Sequence, residues 1–442
     1  MGRRGRGVGA WSLAATVGTI WALTTGCGSK PVDVQKSLQE QFITAKPGSV
    51  IDLPEGKIHL NQTLSLMVDH VTLRGKGMDK TILSFAGSPG GVAAGQIESG
   101  QGLLIKANDF TIEDLAIEDT AGDALTIQGG TNITIRRVRA EWTRGSNEQN
   151  GPYGIYPVEC KNLLIEDSIA RGAADAGIYV GQDENVIVRR NRSEQNVDGY
   201  EIENSENVDA YENVSTHNVG GMGVFNLPNW QRQGGHNIRV FKNTITENNT
   251  PNFAPKMLGP IHGLPSGTGL YIMAIRDVEV FQNKIQNNNT ANVYVINYST
   301  GVEEGVRDTA SSVVTQQIFA PPDKRFYPFD QAINIHDNEI SGGGSSPDQR
   351  YQTMKDLVKA SGGRLPDIVY DGLTDSQWKV SGPDPGQICL KGNGQASFAN
   401  FNLSNKTRGL DHKLKNYECT LPALASVTLA IDTSKGSQGS GQ

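Results

Sequence analysis

The amino-acid sequence predicts an all-β solenoid in which each coil is one turn of parallel β-structure. Three similar stretches follow one another: G-I-Y-P-V-E-C-K-N from Gly154, G-I-Y-V-G-Q-D-E-N from Gly177 and G-Y-E-I-E-N-S-E-N from Gly199. The asparagine that ends each stretch recurs after 23 and then 22 residues, and each stretch is followed by a short alternating run. A repeat of this length, built from strands and turns without helical periodicity, is typical of a β-solenoid.

The first 26 residues have the pattern of an export signal. Three arginines within the first six residues precede an apolar run that ends at Leu23. The run leads to Cys27 in a context that resembles a bacterial lipoprotein signal. We expect a lipoprotein-type signal peptide over 1–26 and a lipid on Cys27, with ordinary secretion or a retained N-terminal anchor as alternatives. The expected location is the cell envelope, lipid-anchored or secreted, with the lipid as the only membrane attachment.

Residues 27–47 are predicted to form a linker and a capping helix. Val34, Leu38 and Phe42 are spaced four apart, which gives a short helix with one apolar stripe. A solenoid exposes its core at each end and needs a cap there. We therefore expect this helix to close the N-terminal end.

Residues 48–340 are predicted to form the solenoid itself, with about ten coils. Segments 50–56, 64–66 and 71–75 read V-I-D-L-P-E-G, L-S-L and V-T-L-R-G. This opening resembles the right-handed parallel β-helix proteins of the pectate-lyase-like superfamily. The resemblance implies a single-stranded, right-handed parallel β-helix.

The repeats also predict which side chains share a surface. The first and third residues after each glycine are apolar and should face the interior, so the second and fourth should face outward. Three outer rows are predicted to be structural rather than functional, because stacked amides, alternating charges and stacked rings stabilise neighbouring strands. The rows are Asn162, Asn185, Asn207 and Asn237; Arg136, Glu166 and Arg189; and Tyr211, Phe241 and Phe281.

Three insertions interrupt the repeat, at 142–152, 227–235 and 251–266. In solenoids such loops collect on one face and commonly wall a groove. Trp142 and Trp230, placed at the loop tips, are predicted to contact a substrate.

The outward positions beside the tandem glycines are the candidate site. They bring tyrosines and carboxylates together within about two coils, a patch about 10 Å across. Tyrosine rings suit the faces of sugar rings, and closely spaced acids can divide acid and base roles. The predicted catalytic residues are Glu201, Glu203 and Asp198. The predicted substrate-binding residues are Tyr153, Tyr156, Tyr179, Asp175, Trp142 and Trp230. No metal site is predicted, although Ca²⁺ held by the three catalytic carboxylates is considered.

Two further resemblances bear on function. Tyr153-Gly154-Ile155-Tyr156-Pro157-Val158 resembles the Y-G-F-D-P-H motif of mannuronan C5-epimerases, but Tyr156 and Val158 replace its aspartate and histidine. From 50 to about 403, the chain is similar to bacterial parallel β-helix repeat lipoproteins of unknown function. The stretches Y-G-I-Y-P-V, D-A-G-I-Y-V-G-Q, E-I-E-N and N-T-P-N-F-A-P carry this likeness. It implies an exported protein partner encoded beside this one, and it supplies no catalytic residue.

Residues 341–442 are predicted to form a small C-terminal appendix. It contains a helix over 351–360, a β-rich part around 388–403 and a disordered tail over 434–442. Cys389 and Cys419 are expected to form a disulfide, as suits an exported protein. Cys160 stands alone in a coil, and the chain has no Cys-x-x-Cys pair.

Charge and composition limit the functional hypotheses. Removing the leader leaves 47 acidic against 37 basic residues, which argues against a nucleic-acid partner. The first hypothesis is an enzyme of the polysaccharide lyase or epimerase type. The second is a non-catalytic protein that binds glycan or docks a partner in the envelope. A weaker third hypothesis is maturation of a periplasmic metal site, which only seven scattered histidines disfavour.

Overall fold

A computed structural model describes residues 33–96, 99–301, 326–374, 387–404 and 409–430. Within these ranges the chain forms a parallel β-helix whose strands lie on three faces. The leader 1–26, the proposed lipid site Cys27 and the predicted disordered tail 434–442 lie outside the described residues.

Face 1 is the first strand of each coil, and each member pairs in parallel with the next. It comprises β1 (Val50–Asp52), β4 (Thr72–Arg74), the first halves of β7 (Thr111–Glu118) and β9 (Thr131–Glu141), β11 (Lys161–Glu166), β14 (Glu184–Arg189), β17 (Glu206–Tyr211), β20 (His236–Phe241), β23 (Arg276–Phe281), β26 (Gln331–His336) and β29 (Ile388–Lys391).

Face 2 continues from face 1 after a sharp bend, which β7 and β9 cross without a break. It comprises β2 (Gly56–His59), β5 (Thr81–Ser84), the second halves of β7 and β9, β12 (Ile169–Arg171), β15 (Arg192–Glu194), β18 (Val214–Thr216), β21 (Thr244–Thr246), β24 (Lys284–Gln286) and β27 (Glu339–Ser341).

Face 3 closes each coil and carries the tandem glycines. It comprises β3 (Leu64–Leu66), β6 (Leu103–Ile105), β8 (Leu125–Gln128), β10 (Ile155–Val158), β13 (Ala176–Gly181), β16 (Asp198–Glu203), β19 (Gly220–Phe225), β22 (Thr268–Met273), β25 (Ala291–Ile296), β28 (Ile368–Tyr370) and β30 (Phe398–Asn400).

The strand ladder extends beyond residue 340, where the sequence placed its end. Face 3 has eleven strands in the described part of the chain, and β28, β29 and β30 all pair in parallel with the coils before them. The region around 388–403, expected as a separate appendix, is therefore the last coil. Long connections separate these strands, so the repeat spacing that marks the earlier coils is lost there.

The interior is a continuous column of apolar side chains. Ile155, Ile178 and Val180 are fully buried in it, as the alternation predicts, and so are the equivalent residues of later coils. The column also contains two ladders of buried asparagines that the repeat pattern did not predict. In each, the side-chain amide of one asparagine donates to the side-chain oxygen of the next, 2.9–3.1 Å away. The ladders are Asn191, Asn213, Asn243, Asn283, Asn338 and Asn393, and Asn196, Asn218, Asn248, Asn288 and Asn292.

The three predicted outer rows are present. Asn162, Asn185, Asn207 and Asn237 form an amide ladder with donor–acceptor distances of 3.1–3.4 Å, and each has a positive φ. Arg189 pairs with Glu166 at 2.7 Å, and Arg136 pairs at 2.7 Å with Glu113 of the preceding coil. The rings of Tyr211, Phe241 and Phe281 stack with centroids 4.8–4.9 Å apart.

Helix α1 (Val34–Thr44) lies over the N-terminal coil. Leu38 and Phe42 enter the apolar column, and the Gln39 side chain pairs with the backbone of Ser65 on the edge strand β3. Val34, the third residue of the predicted stripe, is 38% exposed. The helix thus covers both the end of the core and an unpaired strand edge.

Helix α2 (Gln352–Ala360) and three 3-10 helices lie outside the coils. The 3-10 helices are Val92–Ala94, Lys256–Gly263 and Leu414–Tyr417. In α2, Met354, Leu357 and Val358 pack against the outer side of face 3. No helix in the described ranges is long and apolar enough to cross a membrane.

A disulfide joins Cys389 on face 1 to Cys419. From there an extended segment, which we call the C-terminal strap (residues 420–430), runs along the outer side of face 1. Its Leu424 N–H donates to Glu279 at 3.1 Å, and its Val427 N–H donates to Asp209 at 3.2 Å. Because these two carboxylates belong to different coils, the strap connects several turns of the solenoid.

Candidate functional site

The tandem glycines fix which side chains leave the coil on face 3. At Gly199 a Cβ atom would lie 2.4 Å from the Ser215 hydroxyl oxygen, so only glycine can turn inward there. Tyr200 also faces the interior, where it is buried. Because Gly199 and Tyr200 both face inward, Asp198, Glu201 and Glu203 lie on the outer side of one strand, β16.

The register then aligns these acids with tyrosines of neighbouring coils. Glu201 lies between Tyr179 and Gly223, and Gly223 is followed by Tyr271. Glu203 lies between Gly181 and Phe225. The outward column expected from the sequence therefore exists.

Two glycines in this column make room for tyrosine rings. A Cβ at Gly181 would lie 1.9 Å from the Tyr179 ring, and one at Gly223 would lie 2.3 Å from the Tyr271 ring. Each ring consequently lies flat over a strand, and each hydroxyl reaches an acid. Tyr179 donates to Glu203 Oε2 at 2.9 Å, and Tyr271 donates to Asp198 Oδ2 at 2.7 Å.

The tyrosines at the other edge of the site form a compact aromatic group. Tyr153 stacks on Tyr156 with ring centroids 4.3 Å apart, and Tyr179 lies 5.2 Å and 4.7 Å from them. Burial raises the pKa of all three phenols well above the usual range. These hydroxyls are therefore neutral hydrogen-bonding groups at physiological pH.

A cavity of about 150 Å³ lies over this column, and we call it the acid cavity. Its lining includes Tyr153, Asp175, Glu201 and Glu203. Its walls come mainly from insertions 227–235 and 251–266, from strands β19, β22 and β25 and from α2. The wall residues include Phe225, Trp230, Leu264, Tyr271, Met354 and Leu357.

The acids of the site are covered rather than open to solvent, and this corrects the expectation of an outward groove. Glu201 is 4% exposed and Glu203 is 5% exposed. The cover consists of apolar side chains from two insertions and α2, which pack against the outer side of face 3. The outer side of face 3, which strand alternation predicts to be exposed, is thus buried beneath a second layer of side chains.

Burial changes the protonation of these acids. It raises the pKa of Glu203 to about 7, partly opposed by the hydrogen bond from Tyr179. It raises the pKa of Asp198 to about 8, opposed by the Tyr271 hydroxyl. Burial, reinforced by the neighbouring carboxylates, holds the pKa of Glu201 well above its usual value. At neutral pH Glu203 is accordingly the more readily ionised member of the pair Glu201 and Glu203.

Asp175 and Asp123 extend the acidic cluster. Burial raises the pKa of Asp175 well above its usual value and that of Asp123 to about 7. Asp123 accepts a hydrogen bond from the Thr126 hydroxyl at 3.2 Å. Of these two acids only Asp175 lines the acid cavity, which it shares with Glu201 and Glu203. Perturbed acids gathered in one cavity are a physical mark of functional sites.

The structure brings most of the predicted site residues together. Tyr153, Asp175, Glu201, Glu203 and Trp230 line the acid cavity. Behind this lining lie Asp198 and Tyr179, each bonded to a residue of the lining, and Tyr156, which stacks on Tyr153.

Trp142 is the exception, and its predicted contact with a substrate is wrong. Its ring is 1% exposed within the apolar column, and its indole N–H donates to the Thr120 carbonyl at 2.7 Å. The insertion therefore begins with a core residue, which anchors the loop from inside.

Two parts of the site were missed from the sequence. Asp123 has no distinctive neighbours in the chain, and nothing in the repeat marks it as part of the cluster. Helix α2 was expected as a helix over 351–360, but its role as a wall of the acid cavity depends on contacts with residues about 130 positions earlier, such as Phe225.

In the parts of the chain that are described, no group of three or more His, Cys, Asp or Glu residues is placed to hold a metal ion. The carboxylates considered for Ca²⁺, Asp198, Glu201 and Glu203, are therefore not arranged as such a group.

Comparison with known proteins places the fold. A family model described as a right handed beta helix region matches residues 101–253. The chain therefore contains a right-handed parallel β-helix, as the sequence predicts. No curated protein matches the chain in sequence.

Similar solved structures are β-helix enzymes at low identity. The A-module of mannuronan C-5 epimerase AlgE4 from Azotobacter vinelandii is 16% identical over 71% of this chain and 84% of that chain, with a TM-score of 0.42. Endopolygalacturonase I from Stereum purpureum is 14% identical over 72% and 95%, with a TM-score of 0.44. An exopolygalacturonase from Thermotoga maritima is 13% identical over 57% and 81%, with a TM-score of 0.36. Likeness at this level concerns the fold and not the residues of the acid cavity.

Proposed function

We propose that the protein binds the end of a saccharide chain in the acid cavity and cleaves its terminal glycosidic bond by acid–base catalysis. One observation carries the proposal: Glu201 and Glu203 leave the same side of one strand and line a single cavity together with the rings of Tyr153, Trp230 and Tyr271. Most glycoside hydrolases use a pair of carboxyl groups for the reaction, and aromatic faces provide a surface on which a sugar ring can pack.

The environments of the two acids assign their roles. Glu203 accepts a hydrogen bond from Tyr179, which favours its ionised form. It is therefore either the base that activates a water molecule or the nucleophile that attacks the anomeric carbon. Glu201 keeps its proton and is the acid that protonates the leaving oxygen. Their Cα atoms are about 6–7 Å apart from strand geometry, and both side chains leave the same side of the strand. This placement allows the two carboxyl groups to take up the separation of about 5–10 Å that glycosidases use.

Hydrolysis suits this cavity better than the lyase or epimerase reaction expected from the sequence. Those reactions remove a proton beside a uronate carboxylate, whose charge must be neutralised. Among the described residues that line the acid cavity there is no lysine, arginine or histidine. The residues present can donate and accept protons, but they offer no cation to a uronate.

The size of the acid cavity indicates a chain end as the ligand. A cavity of about 150 Å³ holds a single ring-sized group. The insertions 227–235 and 251–266 and helix α2 stand around it, so a polymer running through in both directions would meet these walls. One terminal sugar is the part of a glycan that fits.

The proposal is tested with a panel of neutral, acidic and amino-sugar oligosaccharides. New reducing ends without unsaturated products are expected for hydrolysis, and ultraviolet-absorbing unsaturated products would indicate a lyase instead. Glu201→Gln and Glu203→Gln should each lower the rate at least about 100-fold, the usual contribution of a positioned acid or base. Glu247→Gln, at a side chain that is 54% exposed, is the control. Absence of any product from the whole panel would defeat the catalytic proposal.

A non-catalytic glycan-binding protein is the second candidate. The near-complete burial of Glu201 and Glu203 favours it, because a covered cavity can retain a ligand without admitting the water that hydrolysis consumes. Saccharide binding that Glu203→Gln weakens, with no product formed after long incubation, would support this candidate over the enzyme.

Export and lipid attachment at Cys27 belong to the same proposal, as does docking to a co-encoded exported protein. The leader pattern supports export to the envelope, where polysaccharides are available. Mass spectrometry of the mature N-terminus would test both the cleavage before Cys27 and the lipid. An intact Met1 N-terminus on the mature protein would contradict them.

A further inference from the structure

Carboxylate oxygens without partners remain around the acid cavity. Asp175 Oδ1 and Glu203 Oε1 are buried in its lining, and neither accepts a well-formed hydrogen bond among the described residues. The nearest donors on the protein are the Tyr153 hydroxyl for Asp175 and the unpaired Trp230 indole N–H for Glu203. Asp198 Oδ1, which lies behind this lining, is also buried without a hydrogen-bond partner among the described residues. Buried polar atoms are normally paired, since an unpaired one costs about 1–3 kcal/mol. Two such atoms in the lining of one cavity, Asp175 Oδ1 and Glu203 Oε1, are acceptors that a ligand can satisfy with its own donors.

The charge around the acid cavity indicates what kind of donor is missing. The described lining contains Asp175, Glu201 and Glu203 and no basic side chain. Burial and mutual repulsion disfavour the ionised forms of these acids. A positively charged group would reverse both effects, because it pairs with the carboxylates and donates hydrogen bonds to them.

The rest of the cavity suits a ring that carries this charge. Trp230 and Tyr271 contribute aromatic surfaces, and Leu264, Met354 and Leu357 contribute apolar ones. Aromatic faces attract ammonium groups within about 6 Å. The acid cavity thus offers acidic groups for a charge and aromatic and apolar surface for the body of a ligand.

We propose that the acid cavity is selective for a protonated primary amine on a ring-sized body, so that the saccharide it takes ends in an amino sugar with a free amino group. The saccharide part of this inference rests on the proposed function, whereas the preference for an ammonium group rests on the unpaired carboxylate oxygens. The ammonium group lies between Asp175 and Glu203, and the ring packs against Trp230 and Tyr271.

Two other classes of sugar fit the acid cavity less well. A uronate would bring a second negative charge to carboxylates that already repel each other. An N-acetylated sugar offers one amide N–H in place of three ammonium donors, and it carries no charge. Both should bind more weakly than the free amine.

Isothermal titration calorimetry on the full mature chain at neutral pH tests the inference with four probes: a glucosamine tetramer, an N-acetylglucosamine tetramer, a tetragalacturonate and benzylamine. The glucosamine tetramer should bind at least about tenfold more tightly than the other two saccharides, which is about 1.4 kcal/mol. Glu203→Gln and Asp175→Asn should each remove most of this preference. Two variants are used so that a folding defect in one, checked by circular dichroism, leaves the other informative, and Glu247→Gln should retain the preference.

The outcomes separate the inference from the proposed function. Equal or tighter binding of the N-acetylated or the acidic tetramer overturns the amine preference and leaves saccharide binding intact. Binding of benzylamine alone, lost in Glu203→Gln and Asp175→Asn, supports the ammonium site and overturns the saccharide function. If none of the four probes binds, both are overturned.

Discussion

The hydroxyl groups of Tyr179 and Tyr271 reach buried acids because a glycine lies beneath each ring. Gly181 and Gly223 are thus part of the site although they carry no functional group. Any side chain at either position would push the ring away and leave Glu203 or Asp198 without its donor. In this column, two glycines without any reactive group determine where the tyrosine rings and their acid partners lie.

Asp198 makes the stability of the fold depend on pH. Its pKa of about 8 in the folded chain lies above that of an aspartate in the unfolded chain. Between about pH 4 and pH 8 the folded state therefore binds more protons, and its stability falls as the pH rises. We expect Asp198→Asn, whose amide oxygen still accepts from Tyr271, to gain at least about 1.4 kcal/mol relative to wild type on going from pH 5 to pH 8.5.

Urea unfolding at both pH values measures this difference. Asp167→Asn, at a half-exposed side chain that pairs with Arg190, is the control for the substitution itself. Parallel stability curves for Asp198→Asn and the wild type would show that Asp198 does not retain its proton in the folded chain.

At the scale of elements, the buried asparagine ladders fasten the turns of the solenoid. Asn213 accepts from the Asn191 backbone N–H at 3.0 Å and donates to the Val188 carbonyl at 2.9 Å. Each ladder member therefore satisfies backbone groups that the sharp bend between faces leaves unpaired. The asparagine side chains thus provide the hydrogen bonds that backbone groups at each bend cannot make within a strand.

Asn213→Ala should accordingly destabilise the protein by at least about 2 kcal/mol, because it leaves two buried backbone groups without partners. The matched change on the outer ladder is Asn207→Gly, which keeps the positive φ of 56° and exposes its partners to water. We expect that change to cost less than about 1 kcal/mol. The midpoint of urea unfolding compares the two, and equal losses would contradict a special role for the buried ladder.

Face 3 illustrates how one element acquires a second role. Its inner side chains belong to the apolar column, and its outer side chains form the floor of the acid cavity under α2. Because the cover excludes water, the carboxyl groups on this face have raised pKa values, whereas the outer side of face 1 carries paired charges such as Glu166 and Arg189. The same strand pattern supports a solvated surface on one face and a covered site on another.

For the whole molecule, the C-terminal strap connects coils that are far apart in sequence. The Val427 N–H bonds Asp209, 218 residues earlier, and the Leu424 N–H bonds Glu279, 145 residues earlier. A chain ending after Cys419 keeps the disulfide but loses both bonds. We expect it to melt several degrees lower, at about 4 °C or less per kcal/mol for a chain of this size, and to exchange face 1 amides faster around β17 and β23.

A chain ending after Ala430 is the control, since it retains every described residue of the strap. If both truncated chains melt and exchange like the full-length protein, the strap contributes nothing to the solenoid.

The sequence by itself determined the solenoid, its outer rows and the column that holds Tyr179, Glu201 and Glu203. These features follow from strand alternation and from a fixed repeat, which are local properties of the chain. Tertiary structure alone decided that the last coils extend to β30, that Trp142 lies in the core, and that α2 and two insertions enclose the acids. Such features depend on contacts between segments separated by tens to hundreds of residues, and the burial they produce sets the pKa values on which the proposed chemistry depends.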